Sequence, residues 1–101
     1  MVRVGAENRP VVRERAFSAA TRRFPNAEFA IRKLMSHSEV FCDICEELAE
    51  AELALARVPE TPAAVHEARR TEWQELVDRL VAELGTALRE GQMRHPLAGP
   101  R

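Results

Sequence analysis

Two cysteines three positions apart, Cys42 and Cys45, have the clearest potential for chemistry in this chain. A thiol pair in the first turns of a helix is typical of redox sites, because the helix N-terminus lowers thiol pKa values. The strand-turn-helix context of thioredoxin-like sites is absent, and Glu46 stands where a c-type haem site needs a histidine. The alternative is simple packing, because free cysteines are among the most buried residue types.

The same cysteines form a candidate metal site with His37. The spacing His37-x4-Cys42-x2-Cys45 is similar to the H-x3-C-x2-C pattern of zinc-binding anti-sigma domains, but the histidine lies one residue too far away. A fourth ligand is also missing, because His66 is expected roughly 12 Å from Cys45 along the helices. An acid such as Glu46, or a second chain, would have to supply it. We therefore expect both cysteines to pack in the core, with zinc or iron at His37, Cys42 and Cys45 as the alternative.

No catalytic constellation can be assembled from the remaining residues. The sequence has no glycine-rich phosphate loop, and its three histidines do not combine with a nucleophile and an acid. We expect a protein that is not an enzyme and has no catalytic residues.

The composition is that of a helical protein. Of the 101 residues 46% are hydrophobic and 31% are charged, and no run of β-forming residues appears between turn signals. We predict an all-α antiparallel helical hairpin with helices at about 39–57 and 62–90. A short helix at about 27–35 precedes it, and we expect the hairpin to associate into a helical bundle.

Capping signals place the ends of these helices. Ser38, or Ser36 together with Glu39, can cap the first long helix. Thr61 is placed as the N-cap of the second, with Pro62 in its first turn.

The chain divides into three segments. Residues 1–25 form a basic N-terminal arm, and the helical spacing of its apolar residues leaves open whether it is a helix or a mobile segment. Residues 26–91 form the hairpin domain, which Gly91 is expected to end. Residues 92–101, which include two prolines and a glycine, are predicted to be a disordered tail.

The apolar faces of the two long helices are wider than one neighbouring helix can cover. Exposed apolar surfaces of that extent usually mark an interface. We therefore predict a homo-oligomer, most simply a dimer, in which a second hairpin or another protein covers the remainder. The predicted interface residues are Phe41, Leu48, Leu55, Trp73, Leu76, Leu80 and Leu84.

Two charged residues fall within these apolar faces, Glu52 on the first long helix and Arg69 on the second. With the turn near residues 59–60 they lie within side-chain reach of each other. An ion pair between them would set register and partner choice more than stability. Snorkelling of both side chains to the rim is the alternative.

Charge is unevenly distributed along the chain. Residues 1–26 carry six arginines against two glutamates, whereas residues 39–60 carry seven acids against one arginine. The basic segment therefore complements the acidic helix of its own chain or of a second copy. Without interleaved aromatic residues, nucleic acid is not the expected partner. The sequence shows no signal peptide and no segment of transmembrane length, so a cytoplasmic location is expected.

A run from Ile31-Arg32-Lys33-Leu34-Met35 to Phe41, followed by Leu48, Leu55 and a proline-containing turn, resembles the small YdcH-like helical-hairpin proteins of bacteria. The resemblance covers about residues 31–90 and implies a short antiparallel hairpin without a particular activity. Those proteins have a lysine-rich second helix, whereas this chain reads Glu72-Trp73-Gln74-Glu75-Leu76-Val77-Asp78-Arg79-Leu80.

Together these features favour a small oligomerising interaction or scaffold protein. The alternative hypothesis is a metal- or redox-responsive regulator that uses the pair Cys42 and Cys45.

Overall fold

The computed structural model describes residues 4–98, and this part contains four α-helices and no strand. The helices are α1 (Val4–Arg23), α2 (Glu28–His37), α3 (Glu39–Ala56) and α4 (His66–Ala98). A 3-10 turn at Pro25–Ala27 joins α1 to α2, Ser38 alone joins α2 to α3, and two 3-10 turns at Val58–Glu60 and Ala63–Val65 lie between α3 and α4. The predicted all-α class and the hairpin of two long helices, α3 and α4, are confirmed.

The start of α3 follows directly from its capping residue. Ser38 has extended backbone angles, and its hydroxyl oxygen accepts a hydrogen bond from the amide of Phe41 at 3.1 Å. This satisfies one of the amides that a helix start leaves without a partner. Ser36 does not cap α3, because its hydroxyl donates instead to the carbonyl oxygen of Lys33 at 2.8 Å.

The start of α4 differs from the prediction. The α-helix begins at His66 and not at residue 62, because a 3-10 turn at Ala63–Val65 comes first. Thr61 does not act as its cap, since its hydroxyl donates to the Val58 carbonyl oxygen at 2.6 Å within the preceding turn. Short 3-10 turns are common at helix starts. The connection between the hairpin helices is therefore longer than expected.

The basic N-terminal arm forms a helix that packs on the hairpin. α1 contacts α3 extensively, so that α3 is the middle helix, with α1 and α4 as its two main neighbours. The fully buried residues of α1 are small, namely Ala16, Ala19 and Ala20, and Phe17 packs half-buried against the same core. Such small residues let two helices approach closely, which gives tight packing from a thin apolar face.

The end of α4 also differs from the prediction. The helix continues past Gly91 to Ala98, so residues 92–98 of the expected disordered tail are helical, and the last three residues of that tail, 99–101, lie outside the described residues. Gly91 does not adopt the positive φ that a helix-ending glycine has. It lies within the helix, where an added Cβ would lie 3.6 Å from a methyl carbon of Leu34 in α2. The packing of α2 on α4 thus extends to this position.

Candidate interaction surface

Both cysteines are buried in the core, as the packing interpretation predicts. The Cys42 thiol donates to the carbonyl oxygen of Met35 at 3.0 Å, and Cys45 has no exposed surface. Burial raises the pKa of Cys42, and burial together with the nearby Cys42 raises the pKa of Cys45 to about 12. Any lowering by the start of α3 is therefore outweighed by desolvation, and both thiols are protonated near neutral pH.

His37 does not join the cysteines in a ligand set. Its side chain is exposed at the end of α2, where Nδ1 lies 2.9 Å from the Lys33 carbonyl oxygen and 3.0 Å from the Ser36 hydroxyl oxygen. His66 is occupied elsewhere, with Nε2 2.7 Å from the Thr61 carbonyl oxygen. Over the described part of the chain, no three histidine, cysteine or acidic side chains are grouped to hold a metal ion.

Four of the seven predicted interface residues lie inside the single chain. Phe41, Leu48, Leu80 and Leu84 are each at most 2% exposed and belong to one continuous core. The prediction is wrong for these four, because α1 and α2 cover the apolar faces that a bare hairpin would expose. The other three, Leu55, Trp73 and Leu76, are half-buried at the edge of that core.

The predicted ion pair between Glu52 and Arg69 is also corrected. Glu52 pairs with α1, because Arg22 donates from Nη2 to one carboxylate oxygen at 3.0 Å and Arg23 donates from Nε to the other at 2.9 Å. Arg69 lies instead 3.3 Å from the carboxylate of Glu72, one turn further along α4. The two arginines at the end of α1 bond to both carboxylate oxygens of Glu52, and α1 is not part of the predicted hairpin.

A shallow apolar groove remains open between α3 and α4 at the turn end of the hairpin. It has a volume of about 450 Å³, and Leu53, Ala54 and Val58 face Trp73 across it. Its other lining residues are polar or charged, namely Glu50, Arg57, Thr61 and Arg69. Trp73 also borders a neighbouring depression with Leu76, so two of the predicted interface residues share this surface.

A second, larger groove of about 950 Å³ runs between α1 and α3. Leu53 lines both grooves and is 45% exposed, so it forms an apolar ridge between them. Leu53 is not among the predicted interface residues, although it lies on the apolar face of α3. Leu53 lies at the exposed edge of that face, one turn from Glu50 and one turn from Arg57, and this spacing is the signal that could have found it.

Among the described side chains, Val11 is 47% exposed and lines the groove between α1 and α3, and two further large apolar residues are exposed outside both grooves. Phe29 at the start of α2 is 77% exposed, and Val40 at the start of α3 is 69% exposed. Scattered apolar residues of this kind are normal on protein surfaces. The surface around Leu53 and Trp73 differs because its apolar residues line adjoining grooves.

Within the described residues, no helix is both long and apolar enough to cross a membrane. Comparisons with models of known families, with curated proteins and with solved structures find no match to this chain.

Proposed function

We propose that this chain is a small helical interaction protein that associates with itself, most simply as a dimer, through the surface around Leu53 and Trp73. The observation that supports the proposal is the exposed Leu53 ridge, which lies between two grooves at the turn end of the hairpin. Burying a leucine side chain completely contributes about 1.5–3 kcal/mol, and a half-exposed leucine has roughly half of that still to gain.

Trp73 strengthens the proposal because large aromatic residues are the usual anchors of protein interfaces. It is only half-buried by its own chain and borders two adjoining depressions. Its indole ring can therefore lose further exposed area when a partner covers the groove. A catalytic role has no comparable support, because the two candidate nucleophiles, Cys42 and Cys45, are buried thiols with raised pKa values.

The test is sedimentation equilibrium of the full chain and of two matched variants. Leu53→Glu places a charge on the proposed surface, whereas Val40→Glu makes the same kind of change at an exposed valine on α3 that lines no groove around Leu53. We expect the unaltered chain and Val40→Glu to be dimers and Leu53→Glu to be a monomer of unchanged helicity. A Leu53→Glu variant that dimerises like the unaltered chain would contradict the proposed surface.

A further inference from the structure

One face of α3 carries two opposite charges on either side of the Leu53 ridge. Glu50, Leu53, Ala54 and Arg57 are spaced i, i+3, i+4 and i+7, which places them on the same side of a helix. All four line the groove between α3 and α4. The order along the helix is therefore negative, apolar, small, positive.

Neither charge is paired within the described part of the chain. Glu50 and Arg57 are exposed, and neither forms an ion pair among the residues whose side chains are described. They lie seven positions apart, which corresponds to roughly 10 Å along the helix axis. A second helix that runs alongside can place an opposite charge next to each of them at this separation.

The orientation of a second copy follows from this order of charges. If two α3 helices lie parallel and in register, Glu50 faces Glu50 and Arg57 faces Arg57, which repel each other. If they lie antiparallel with Leu53 and Ala54 at the centre, Glu50 of each copy faces Arg57 of the other. A two-fold axis through this centre makes the surface complementary to itself.

The remaining residues of α3 favour the same arrangement. Ala54 is small, so the Leu53 side chain of a second copy has room beside it. In the antiparallel pair, the C-terminal end of one α3 lies near residue 50 of the other copy's α3. The acidic first turns of each α3 therefore have no part of the other α3 beside them. In a parallel pair those acids would lie side by side along the whole helix.

We infer that two copies of the chain dimerise with their α3 helices antiparallel about Leu53, with Glu50 of each copy paired with Arg57 of the other. This inference rests on the proposed self-association and specifies its geometry. The overlap of the two α3 helices is short, covering about two turns. The dimer is therefore concentration-dependent and sensitive to ionic strength.

The experiment is a charge-reversal series in the full chain, measured by sedimentation equilibrium at low salt. Glu50→Arg and Arg57→Glu each place like charges opposite each other at two symmetric positions, whereas the double variant restores opposite charges. Glu75→Arg is the matched control, because Glu75 is exposed on α4 and lines neither groove. Circular dichroism checks that all variants keep their helices.

We expect each single reversal to raise the dimer dissociation constant about tenfold. The double variant and Glu75→Arg should return to within about threefold of the unaltered chain. If both single reversals dimerise normally while Leu53→Glu does not, the antiparallel pairing is overturned and the proposed surface stands. If the unaltered chain is itself a monomer, both the pairing and the proposed self-association are wrong.

Discussion

The carboxylate of Glu52 on α3 accepts hydrogen bonds from Arg22 and Arg23 of α1 at 3.0 and 2.9 Å. The Glu52 side chain is only 18% exposed, although both arginines remain in contact with solvent. One acid thus holds the end of the N-terminal helix against the middle helix of the fold. The contact joins the basic beginning of the chain to its acidic centre.

Glu52→Gln should therefore destabilise the chain more than the same change at an unpaired acid. We expect a loss of about 1 kcal/mol in the free energy of unfolding, a modest value because the arginines are solvent-screened. Urea denaturation measures it, with Glu47→Gln as the control, since Glu47 is exposed and outside the ion pairs of the described side chains. Equal stabilities for the two variants would show that the Glu52 contact contributes nothing.

Gly91→Ala tests whether α4 continues past the glycine at which the sequence predicted its end. Alanine is favoured over glycine inside a helix by up to about 1 kcal/mol. The added Cβ at position 91 would lie at an ordinary contact distance, 3.6 Å, from Leu34. We expect a gain in thermal stability, as for Gly85→Ala in the interior of α4, where the nearest atom would be 3.4 Å away. A loss of stability in Gly91→Ala alone would indicate that the helix ends there.

The two cysteines should react slowly with thiol reagents in the folded protein. Burial keeps both thiols from solvent and raises their pKa values, so little thiolate is present at neutral pH. We expect alkylation at least ten times slower than in the same chain unfolded by guanidinium. Fast labelling of both thiols in the native state would instead support the redox or metal hypothesis. So would a change of oligomeric state in the double variant Cys42→Ala, Cys45→Ala.

The raised pKa of Cys45 also predicts a pH dependence of stability. From pH 9.0, the ordinary thiol value, to about 12, the unfolded chain loses the Cys45 proton while the folded chain keeps it. The unfolded state binds fewer protons over this range, so the free energy of unfolding falls as pH rises. The slope contributed by this one group is at most about 1.4 kcal/mol per pH unit.

Comparison with Cys45→Ala removes this contribution together with the effect of Cys45 on the neighbouring Cys42 thiol, while the groups elsewhere titrate in both proteins. The variant loses packing in the core and should be less stable at pH 7. Above pH 9.0 the difference in free energy of unfolding between the two proteins should become smaller, since only the unaltered chain loses stability through Cys45. If the difference in free energy of unfolding stays constant up to pH 11, about two pH units above the ordinary thiol pKa, the Cys45 pKa is not raised.

Local signals in the sequence predicted the parts of the fold that depend on a few neighbouring residues. Ser38 predicted the start of α3 because a cap needs only its own side chain and an amide three residues on. The start of α4 was misplaced because the Thr61 hydroxyl can either cap a following helix or bond within the preceding turn. In the structure it donates to the carbonyl oxygen of Val58 in that turn. Choosing between such alternatives requires the course of the whole turn.

The role of α1 could not be predicted because the fully buried part of its apolar face consists of alanines. Ala16, Ala19 and Ala20 give only a weak hydrophobic signal in the sequence, because their side chains are small. In the fold they are fully buried. The interface prediction failed at Phe41 and Leu48 for the same reason, since α1 was not counted as cover. The excess of arginine over acid in residues 1–26, and of acid over arginine in residues 39–60, did indicate that the two segments attract each other.

The most direct test of the proposed function is a native mass spectrum of the full chain, purified without chelator under reducing conditions. The account predicts a metal-free species of twice the 11.4-kDa chain mass that dissociates on dilution and is lost in Leu53→Glu. A monomer at every concentration would contradict self-association. A dimer that carries one zinc or iron ion and depends on Cys42 and Cys45 would contradict dimerisation through the surface around Leu53 and Trp73. It would favour the metal-responsive alternative.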